Sequence, residues 1–436
     1  MGGHKGRPYT VIRTLPDRER GPRTDESTVR ILWVKANKLL PMESGGSIRS
    51  FHIARHLTSR HPLTFLSYYA GAPDPAYHAE LERCFPGAVA LPTGKWEPAG
   101  AARALDYVLH LPRAAPYAVS RFASAAVSEK IAAWFRDHSF DVAVCDFLQS
   151  AINFPLAGEG SKLAKPAIPS VLFQHNVETE IWRRHVLTEP SKYKKLIYGV
   201  EFSKMMSYER RAVQQFQHVI AVSAHDKRLM SAWVDASRIT VVPTGVDLAQ
   251  YRPEPPAGDP QPLAMFVGAM DWEPNVGAVE YFCRDIWPRV TDEIPEARFR
   301  IVGRNPVWRV RALASDSVEV TGRVPSVQEH LREAVVVVVP LLVGGGTRLK
   351  IYEAMAAGRA VVSTSVGAEG LDVHHGADIL LADDATTFAD AVMMLLRDRG
   401  ARAVYEQAAA RQAAQFDWPQ VAATFEDVLR RVALSQ

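Results

Sequence analysis

Hydrophobic residues along this chain fall into short continuous runs that are separated by polar turns. In the first half such runs lie at residues 30–34, 63–68, 141–145, 170–173, 218–222 and 239–242. In the second half they lie at residues 263–267, 297–302, 318–321, 334–341, 360–363 and 379–381. Continuous valine-rich runs are typical of strands buried on both faces, as in parallel sheets. The pattern therefore predicts two sets of buried parallel strands.

Between the runs the apolar residues change to helical spacing. Ile48, Phe51, Ala54 and Leu57 follow this spacing and predict a helix over 47–60. Further helices are predicted over 124–138, 190–216, 275–293, 384–398 and 418–433. Alternating strands and helices predict an α/β fold with two doubly wound domains in tandem. Ligands of such sheets lie beyond the carboxyl ends of the strands, so we expect the two sheet edges to face one cleft.

A proline-rich segment divides the two halves. Residues 252–262 contain five prolines in eleven positions, which predicts an extended linker. We expect a disordered leader over 1–29, an N-terminal domain over 30–251, the linker over 252–262, a C-terminal domain over 263–415 and a last helix over 416–436. That last helix would cross back to the first domain.

Composition narrows the class of protein. A chain of 436 residues exceeds the usual size of a single core, which agrees with two domains. The net charge of +3 gives no basic face of the kind that nucleic acid requires, so a nucleic-acid partner is not expected.

Three widely spaced cysteines form neither a metal motif nor a disulfide framework. No apolar run approaches the roughly 20 residues of a spanning helix, and residues 1–29 lack the apolar segment of a signal peptide. A cytoplasmic location is therefore expected.

A glycine-rich turn carries the strongest chemical signal. The turn and the start of the following helix consist of Gly344, Gly345, Gly346, Thr347, Arg348, Lys350 and Glu353, with spacers. Glycines let the backbone come close to a ligand. A helix start adds N–H groups and a positive dipole end, and Arg348 and Lys350 add two charges. The pattern predicts a diphosphate site, with Glu353 placed to hold sugar hydroxyls.

Several motifs in order resemble those of glycosyltransferase family 4, in a bacterial subgroup linked to exopolysaccharide synthesis. The strongest is residues 340–371, which begins at the strand before the glycine turn. Val242-Pro-Thr-Gly-Val-Asp247, Phe266-Val-Gly-Ala-Met-Asp-Trp-Glu-Pro-Asn275 and Gln174-His-Asn-Val-Glu178 are also similar to family motifs. The resemblance spans about residues 30–432.

The resemblance implies a GT-B fold, with two Rossmann-like domains around a cleft. It implies a retaining, metal-independent transferase without a cofactor, which moves a hexose-type sugar from a UDP- or GDP-linked donor. The donor would bind the C-terminal domain, and a glycan or lipid-linked acceptor would bind the N-terminal domain.

The resemblance also implies roles for individual residues of the C-terminal half. Arg348 and Lys350 would stabilise the leaving diphosphate, since no Asp-x-Asp motif is present to hold a metal ion. Glu353 would accept hydrogen bonds from the ribose, and Gly268 would permit close approach of the donor. The remaining donor-binding residues implied are Gly322, Arg323 and Val324 around the nucleobase, and Glu369 as a nearby carboxylate.

The chain departs from the family pattern at two places. Gly345 occupies the position of the first glutamate of the family's two-glutamate motif. Backbone amides of Gly345, Gly346 and Thr347 would replace that glutamate at the donor sugar. The arginine and lysine that many relatives carry shortly after Gly268 are also missing. More of the phosphate binding would therefore fall to Arg348 and Lys350.

Two loops of the N-terminal half are candidates for the cleft. His175 follows a predicted strand, where it would bond donor or acceptor hydroxyls or serve as a plain structural histidine. Gly45, Gly46 and Arg49 lie at a predicted helix start. They would either reach a phosphate or form an ordinary turn and cap.

The long helix over 190–216 mixes basic and apolar residues. Its basic residues are Lys192, Lys194, Lys195, Lys204, Arg210 and Arg211, and its apolar residues include Tyr193, Leu196, Ile197, Phe202, Met205 and Met206. Such a helix either docks peripherally on the anionic inner face of a membrane or packs its apolar side on the core.

Proteins with two other functions share the expected fold, so both functions stay open. One is a sugar-nucleotide epimerase, and the other is a nucleotide-sugar binding protein that has lost activity because of Gly345.

Overall fold

The computed structural model describes residues 28–42, 44–94, 100–155, 168–253, 261–343 and 348–435. The described residues from 28 to Pro243 form one compact unit together with residues 421–435, which we call the N-terminal domain. Residues Thr244–Gln420 form the second, the C-terminal domain. Almost all of the predicted leader, and residues 254–260 of the predicted linker, lie outside the described residues.

The N-terminal domain is built on a parallel sheet. Its strands are β1 (Ile31–Ala36), β2 (Leu63–Tyr69), β3 (Val89–Pro92), β4 (Val142–Asp146), β5 (Ser170–Gln174), β6 (His218–Ala221) and β7 (Ile239–Val241). In the described residues the strand order is β3-β2-β1-β4-β5-β6-β7, and every neighbouring pair is parallel. The central strands β1, β4 and β5 are buried along their whole length, and their sequences are mostly apolar, with Lys35, Asp146, Ser170 and Gln174 as the polar exceptions.

Helices cover this sheet. They are α1 (Gly45–Leu57), α2 (Pro75–Cys84), α3 (Gly100–His110), α4 (Tyr117–Ser120), α5 (Ala125–Arg136), α6 (Glu178–Thr188), α7 (Lys192–Gln215) and α8 (Ala224–Met230), with 3-10 turns at Leu148–Asn153 and Ala236–Arg238. Ser44 caps α1 by accepting a hydrogen bond from the backbone N–H of Ser47 at 3.1 Å.

The C-terminal domain has its own parallel sheet. Its strands are β8 (Leu263–Val267), β9 (Arg298–Val302), β10 (Val318–Gly322), β11 (Val336–Val339), β12 (Ala360–Ser363) and β13 (Leu380–Leu381), in the order β10-β9-β8-β11-β12-β13 among the described residues. Its helices are α9 (Glu273–Tyr281), α10 (Trp287–Glu293), α11 (Trp308–Arg311), α12 (Val327–Glu333), α13 (Leu349–Ala356), α14 (Ala385–Arg397) and α15 (Arg399–Ala413), and the last helix of the chain is α16 (Trp418–Leu434).

Helix α16 begins in the C-terminal domain and continues into the N-terminal one. Phe425 lies 5.4 Å from the Trp33 ring and 5.0 Å from the Phe173 ring, measured between centroids. Glu426, which is buried, accepts from Arg60 at 3.1 Å and lies 3.2 Å from His61 Nε2. These contacts place the end of the chain in the core of the first sheet.

The structure differs from the sequence expectations in three places. The predicted helix over 275–293 is interrupted by a π-helical turn at Phe282–Ile286, since Pro288 has no N–H for the preceding turn. Residues 244–251, expected in the first domain, belong to the second because Val246 and Tyr251 are buried in its core. Strand β3 was not predicted, and neither were the helices α2, α3, α4, α6, α8, α11, α12 and α15.

Candidate functional site

Helix α13 brings a lysine to the carboxyl end of β8. Lys350 Nζ donates to Asn275 Oδ1 at 3.0 Å and lies 4.1 Å from the centre of the Phe266 ring. Gly268 directly follows β8, and a Cβ atom there would lie 2.5 Å from Asn275 Nδ2 and 3.0 Å from Lys350 Nζ. A side chain at this position would displace Asn275 and Lys350. The lysine therefore occupies the edge of the sheet where ligands of doubly wound folds bind.

The ionisation of Lys350 is coupled to its surroundings. Burial, with a smaller contribution from Arg348, lowers the pKa of Lys350 to about 7. Burial raises the pKa of Glu353 to about 7, although a hydrogen bond from Tyr251 and the charge of Lys350 partly offset this effect. Both groups thus titrate near neutrality, and an anion bound here would favour the protonated lysine. Lys350 is also the only lysine after residue 227.

Arg348 lies immediately before α13 and is not helical. Its φ of −93° and ψ of 87° make it the N-cap residue of that helix. The side chain is buried, with the guanidinium carbon 5.7 Å from the centre of the Trp272 ring. The start of α13 therefore combines two basic side chains with a helix N-terminus, an arrangement that suits a phosphate group.

The glycine turn itself, Gly344, Gly345, Gly346 and Thr347, lies outside the described residues. Its flanks are β11, which ends at Val339, and Arg348. The segment after β12 is tied to the first flank, because Thr364 Oγ1 donates to the Leu341 carbonyl at 2.5 Å. Glu369 lies in the turn that follows and is half-buried.

The predicted nucleobase loop follows β10. Gly322 has a φ of +71°, which a side chain would make costly, and its carbonyl accepts from the Gly303 N–H at 3.2 Å. Arg323 is exposed, whereas Val324 packs against the core of the C-terminal domain. The loop lies at the carboxyl end of β10, two strands from β8 in the same parallel sheet.

In the N-terminal domain, His175 joins Arg49 and Asp146 in a buried cluster. His175 Nδ1 lies 2.7 Å from Arg49 Nη1, and His175 Nε2 lies 2.7 Å from Asp146 Oδ1. Because arginine only donates, Nδ1 accepts and Nε2–H donates to Asp146. Burial lowers the pKa of His175 to about 3 despite the neighbouring carboxylate. The imidazole is therefore neutral at physiological pH, and both of its nitrogens are engaged within the protein.

Asp146 is the centre of this cluster. It accepts from Trp33 Nε1 at 3.0 Å and pairs with Lys35 Nζ at 3.4 Å. Burial raises the pKa of Asp146, but Lys35 and His175 together lower it below its usual range. Lys35 is itself buried, which lowers its pKa. The cluster thus holds a compensated ion pair at the carboxyl ends of β1 and β4.

Phe147 covers the cluster and has an unusual backbone. Its φ of 68° and ψ of 149° lie in a region that is essentially restricted to glycine. The ring stacks on His175 at 3.7 Å between centroids, with an interplanar angle of 8°, and Lys35 Nζ lies 4.2 Å from its centre. A Cβ atom at Gly46 would lie 2.2 Å from this ring, so a side chain there would displace Phe147.

The structure brings together three residues that the sequence had assigned to two loops: Gly46, Arg49 and His175. Gly45 is the first residue of α1 and lies beside them in the chain. Lys35 and Asp146 were missed. The available signal was a charged residue inside, or at the end of, an otherwise apolar buried run, where a charge requires a partner.

Comparison with known proteins agrees with this architecture. The family described as Glycosyltransferase Family 4 matches residues 44–250, and the family described as Glycosyl transferases group 1 matches residues 261–398. An uncharacterized 44.6 kDa protein in the cps region of Klebsiella pneumoniae is 23% identical over 226 residues, 49% of this chain and 56% of that protein. The phosphatidyl-myo-inositol mannosyltransferase of Mycolicibacterium smegmatis is 29% identical over 203 residues, 44% of this chain and 52% of that protein. The chain thus spans about half the length of these relatives.

Among solved structures, HepE of Anabaena in complex with UDP superposes with a TM-score of 0.62 and 14% identity, covering 92% of this chain and 100% of that one. The two parallel sheets with their helices are Rossmann-like domains of the GT-B class. The chain belongs to the glycosyltransferase family, with a family 4 domain followed by a group 1 domain.

Proposed function

We propose that this protein transfers a sugar, with retention and without a metal ion, from a UDP- or GDP-linked donor to a glycan or lipid-linked acceptor in polysaccharide synthesis. The observation that carries the proposal is the position of Lys350 over Gly268, at the carboxyl end of β8. There Lys350 and Arg348 meet the N-terminus of α13, and a donor diphosphate would find compensating charge.

The donor site is completed by the other residues of the C-terminal domain. Glu353 would accept from the ribose hydroxyls, and the loop of Gly322, Arg323 and Val324 would bracket the nucleobase. Glu369 would supply a carboxylate near the donor sugar, and the backbone amides of Gly345, Gly346 and Thr347, which lie outside the described residues, would bind that sugar. Support for a nucleotide-sugar ligand comes from HepE, which is known in complexes with UDP and with UDP-glucose.

The acceptor would bind the N-terminal domain. Here His175 would act as a positioning residue, since it accepts a hydrogen bond from Arg49 and stacks on the Phe147 ring. The cluster would fix the loop at Gly45 and Gly46, because the Gly46 backbone packs against the Phe147 ring. A role in polysaccharide synthesis is supported by the relative from the cps region of Klebsiella pneumoniae.

Incubation with a panel of UDP- and GDP-linked sugars tests the proposal. Slow release of free sugar and nucleoside diphosphate without a metal ion is the expected result. Formation of an epimer without free nucleotide would instead indicate an epimerase, and binding without either product would indicate an inactive binding protein.

A substitution at Lys350 tests the site. Lys350→Gln keeps a hydrogen-bond donor towards Asn275 but removes the charge, so UDP should bind about tenfold or more weakly. Arg311→Gln removes an exposed charge from the same domain and should leave UDP affinity unchanged. Equal affinities of the Lys350→Gln and Arg311→Gln variants would contradict the assignment.

We further propose that the protein attaches peripherally to the cytoplasmic face of the inner membrane. More than half of the exposed large hydrophobic side chains in the described residues belong to α3, α6, α7 and the turn after α3. They are Leu105, Val108, Leu109, Leu111, Leu187, Tyr193, Leu196, Ile197, Val200 and Met206, and we call this set the α3–α7 surface.

Lysines accompany these apolar residues. Lys192, Lys194 and Lys195 are exposed in the first turn of α7. Lys204 Nζ donates to the Leu111 carbonyl at 2.7 Å, which joins α7 to the turn after α3. The second half of α7 is different, because Met205 is fully buried in the core. Exposed apolar and basic side chains on helices that contact one another suit an anionic bilayer. No helix of the described residues is long and apolar enough to cross a membrane.

A further inference from the structure

A cavity of about 450 Å³ opens beside the His175 cluster in the N-terminal domain. This volume is within the range of about 300–1,000 Å³ that is typical of small-molecule sites. The cavity lies at the carboxyl ends of β1 and β4, since Lys35, Ala36 and Phe147 contribute to its wall. It is therefore at the ligand edge of the first sheet.

The wall of the cavity is positively charged. Lys35, Lys38 and Arg121 line it, and no described residue of the lining is an aspartate or glutamate. Two of these charges are compensated outside the cavity. Lys35 pairs with Asp146 at 3.4 Å, and Lys38 pairs with Asp74 at 2.6 Å.

Arg121 supplies the third charge. It follows α4, is exposed to solvent, and its guanidinium carbon lies 4.6 Å from the centre of the Phe122 ring. Among the residues that the structure describes, no carboxylate forms an ion pair with it within 4.0 Å. The guanidinium is therefore available for an anion, which arginine binds in a bidentate manner.

Aromatic residues form the remaining walls. Tyr117, Phe122 and Phe147 line the cavity, beside the hydroxyls of Ser44 and Ser47. Phe147 has a strained backbone, and strain of this kind concentrates at functional sites. Aromatic faces with a few polar groups are typical of sites for small polar ligands such as sugars.

We infer that this cavity is the acceptor site, and that it takes an acceptor with an anionic group, a phosphate or a carboxylate, next to its sugar ring. The ring packs on the aromatic walls and the anion binds Arg121. This assignment rests on the proposed transferase function and specifies the chemical class of its acceptor.

Calorimetry with the full-length protein tests the inference. The probes are glucose, glucose 1-phosphate, glucose 6-phosphate, glucuronate, glycerol 3-phosphate and inorganic phosphate, at low ionic strength. At least one anionic sugar should bind about tenfold or more tightly than glucose. The two glucose phosphates and glucuronate separate a phosphate from a carboxylate, and glycerol 3-phosphate represents a lipid headgroup.

Variants then locate the binding. Arg121→Gln should lose the preference for the anionic sugar, and Arg121→Lys should keep part of it. Arg136→Gln, an exposed arginine at the end of α5, should behave as wild type. Equal binding of glucose and its phosphates would overturn the inference. It would also be overturned by equal affinities of the Arg121→Gln and Arg136→Gln variants, or by inorganic phosphate binding as tightly as the sugar phosphates. UDP affinity of the wild type, measured in parallel, reports separately on the donor function.

Discussion

Lys350 has a charge that depends on what is bound beside it. Its pKa of about 7 is well below that of an ordinary lysine because the side chain is largely removed from water. A diphosphate would raise this pKa, so binding should be accompanied by proton uptake. Glu353 has its pKa raised and titrates in the same range.

We therefore predict that UDP binding takes up protons above pH 7. At pH 8 most of the unliganded Lys350 is neutral and becomes protonated in the complex, whereas at pH 6 it is already charged. Titration calorimetry in buffers of different ionisation enthalpy measures this uptake. Lys350→Gln should reduce the uptake, while Glu353→Gln should retain the part that Lys350 contributes. Net proton release by the wild type at pH 8 would contradict the prediction.

His175 should make the N-terminal domain sensitive to acid. Its pKa is about 3 in the folded protein but about 6.5 in the unfolded chain. The unfolded chain therefore binds more protons between these values, and stability is lost as the pH falls below 6.5. In urea unfolding, the loss between pH 7.5 and 5.0 should be smaller for His175→Gln than for wild type. His78→Gln, at an exposed histidine, should retain the wild-type loss.

Individual contacts of the site were only partly accessible from the sequence. Arg49 and His175 were predicted because each follows a strand or opens a helix. Asp146 was not, although it bonds His175, because 29 residues separate the two and no local pattern connects them. The strained Phe147 was likewise invisible, since nothing in the sequence indicates a φ of 68° in a phenylalanine.

At the scale of secondary structure, the proposed donor site depends on how closely α13 approaches the end of β8 at Gly268. Gly268 leaves room for Lys350 and Asn275, so the helix and the strand end lie closer than any side chain at this position would allow. Helix α9 also contains a glycine, Gly277, but a Cβ atom there would have no heavy atom within 4 Å.

The two glycines provide a matched test. Gly268→Ala should displace Lys350, weaken UDP binding and lower the free energy of unfolding by about 1–3 kcal/mol. Gly277→Ala should leave UDP binding unchanged and raise stability by about 0.4–1 kcal/mol. Denaturant unfolding and UDP calorimetry on both variants check this pair, and wild-type UDP affinity in Gly268→Ala would be the contrary result.

Elements with a strong apolar pattern were predictable and weakly patterned ones were not. Eleven of the apolar runs that were predicted as strands form parallel strands whose ends differ from the prediction by one or two residues. The run at 334–341 forms a strand only over Val336–Val339. Strand β3 has four residues that are only half-buried, and α15 has few large apolar residues. Asp384 caps α14 by accepting hydrogen bonds from the backbone N–H groups of Thr386 and Thr387 at 3.0 Å.

At the scale of the whole molecule, the α3–α7 surface predicts binding to anionic membranes. Replacing Lys192, Lys194 and Lys195 with glutamine should weaken binding to phosphatidylglycerol-containing vesicles about tenfold or more, since each lysine near a surface contributes about 1 kcal/mol. A Lys130→Gln and Arg136→Gln double variant on α5 is the control. Wild-type binding should fall at 0.5 M salt. Co-sedimentation that is equal for anionic and neutral vesicles would argue against this surface.

Because the last helix belongs to the N-terminal domain, a fragment that contains only the first part of the chain lacks part of that domain's core. Residues 421–435 complete the first sheet's core through Phe425 and Glu426. A fragment that ends before α16 lacks these side chains, so its Trp33 would lose an aromatic neighbour. The last helix and its return to the first domain were both expected from the sequence, and in the structure Glu426 accepts from Arg60, 366 positions earlier in the chain.

The depressed pKa of Lys350 also makes it a nucleophile. At pH 7.5 an ordinary lysine is almost fully protonated, whereas an amine with a pKa of about 7 is mostly unprotonated and reacts readily with acylating reagents. A trace of an activated ester should therefore modify Lys350, which is the only lysine of the C-terminal domain. A bound nucleoside diphosphate would slow that reaction. The rate at which Lys350 is acylated therefore measures how much of the site is occupied.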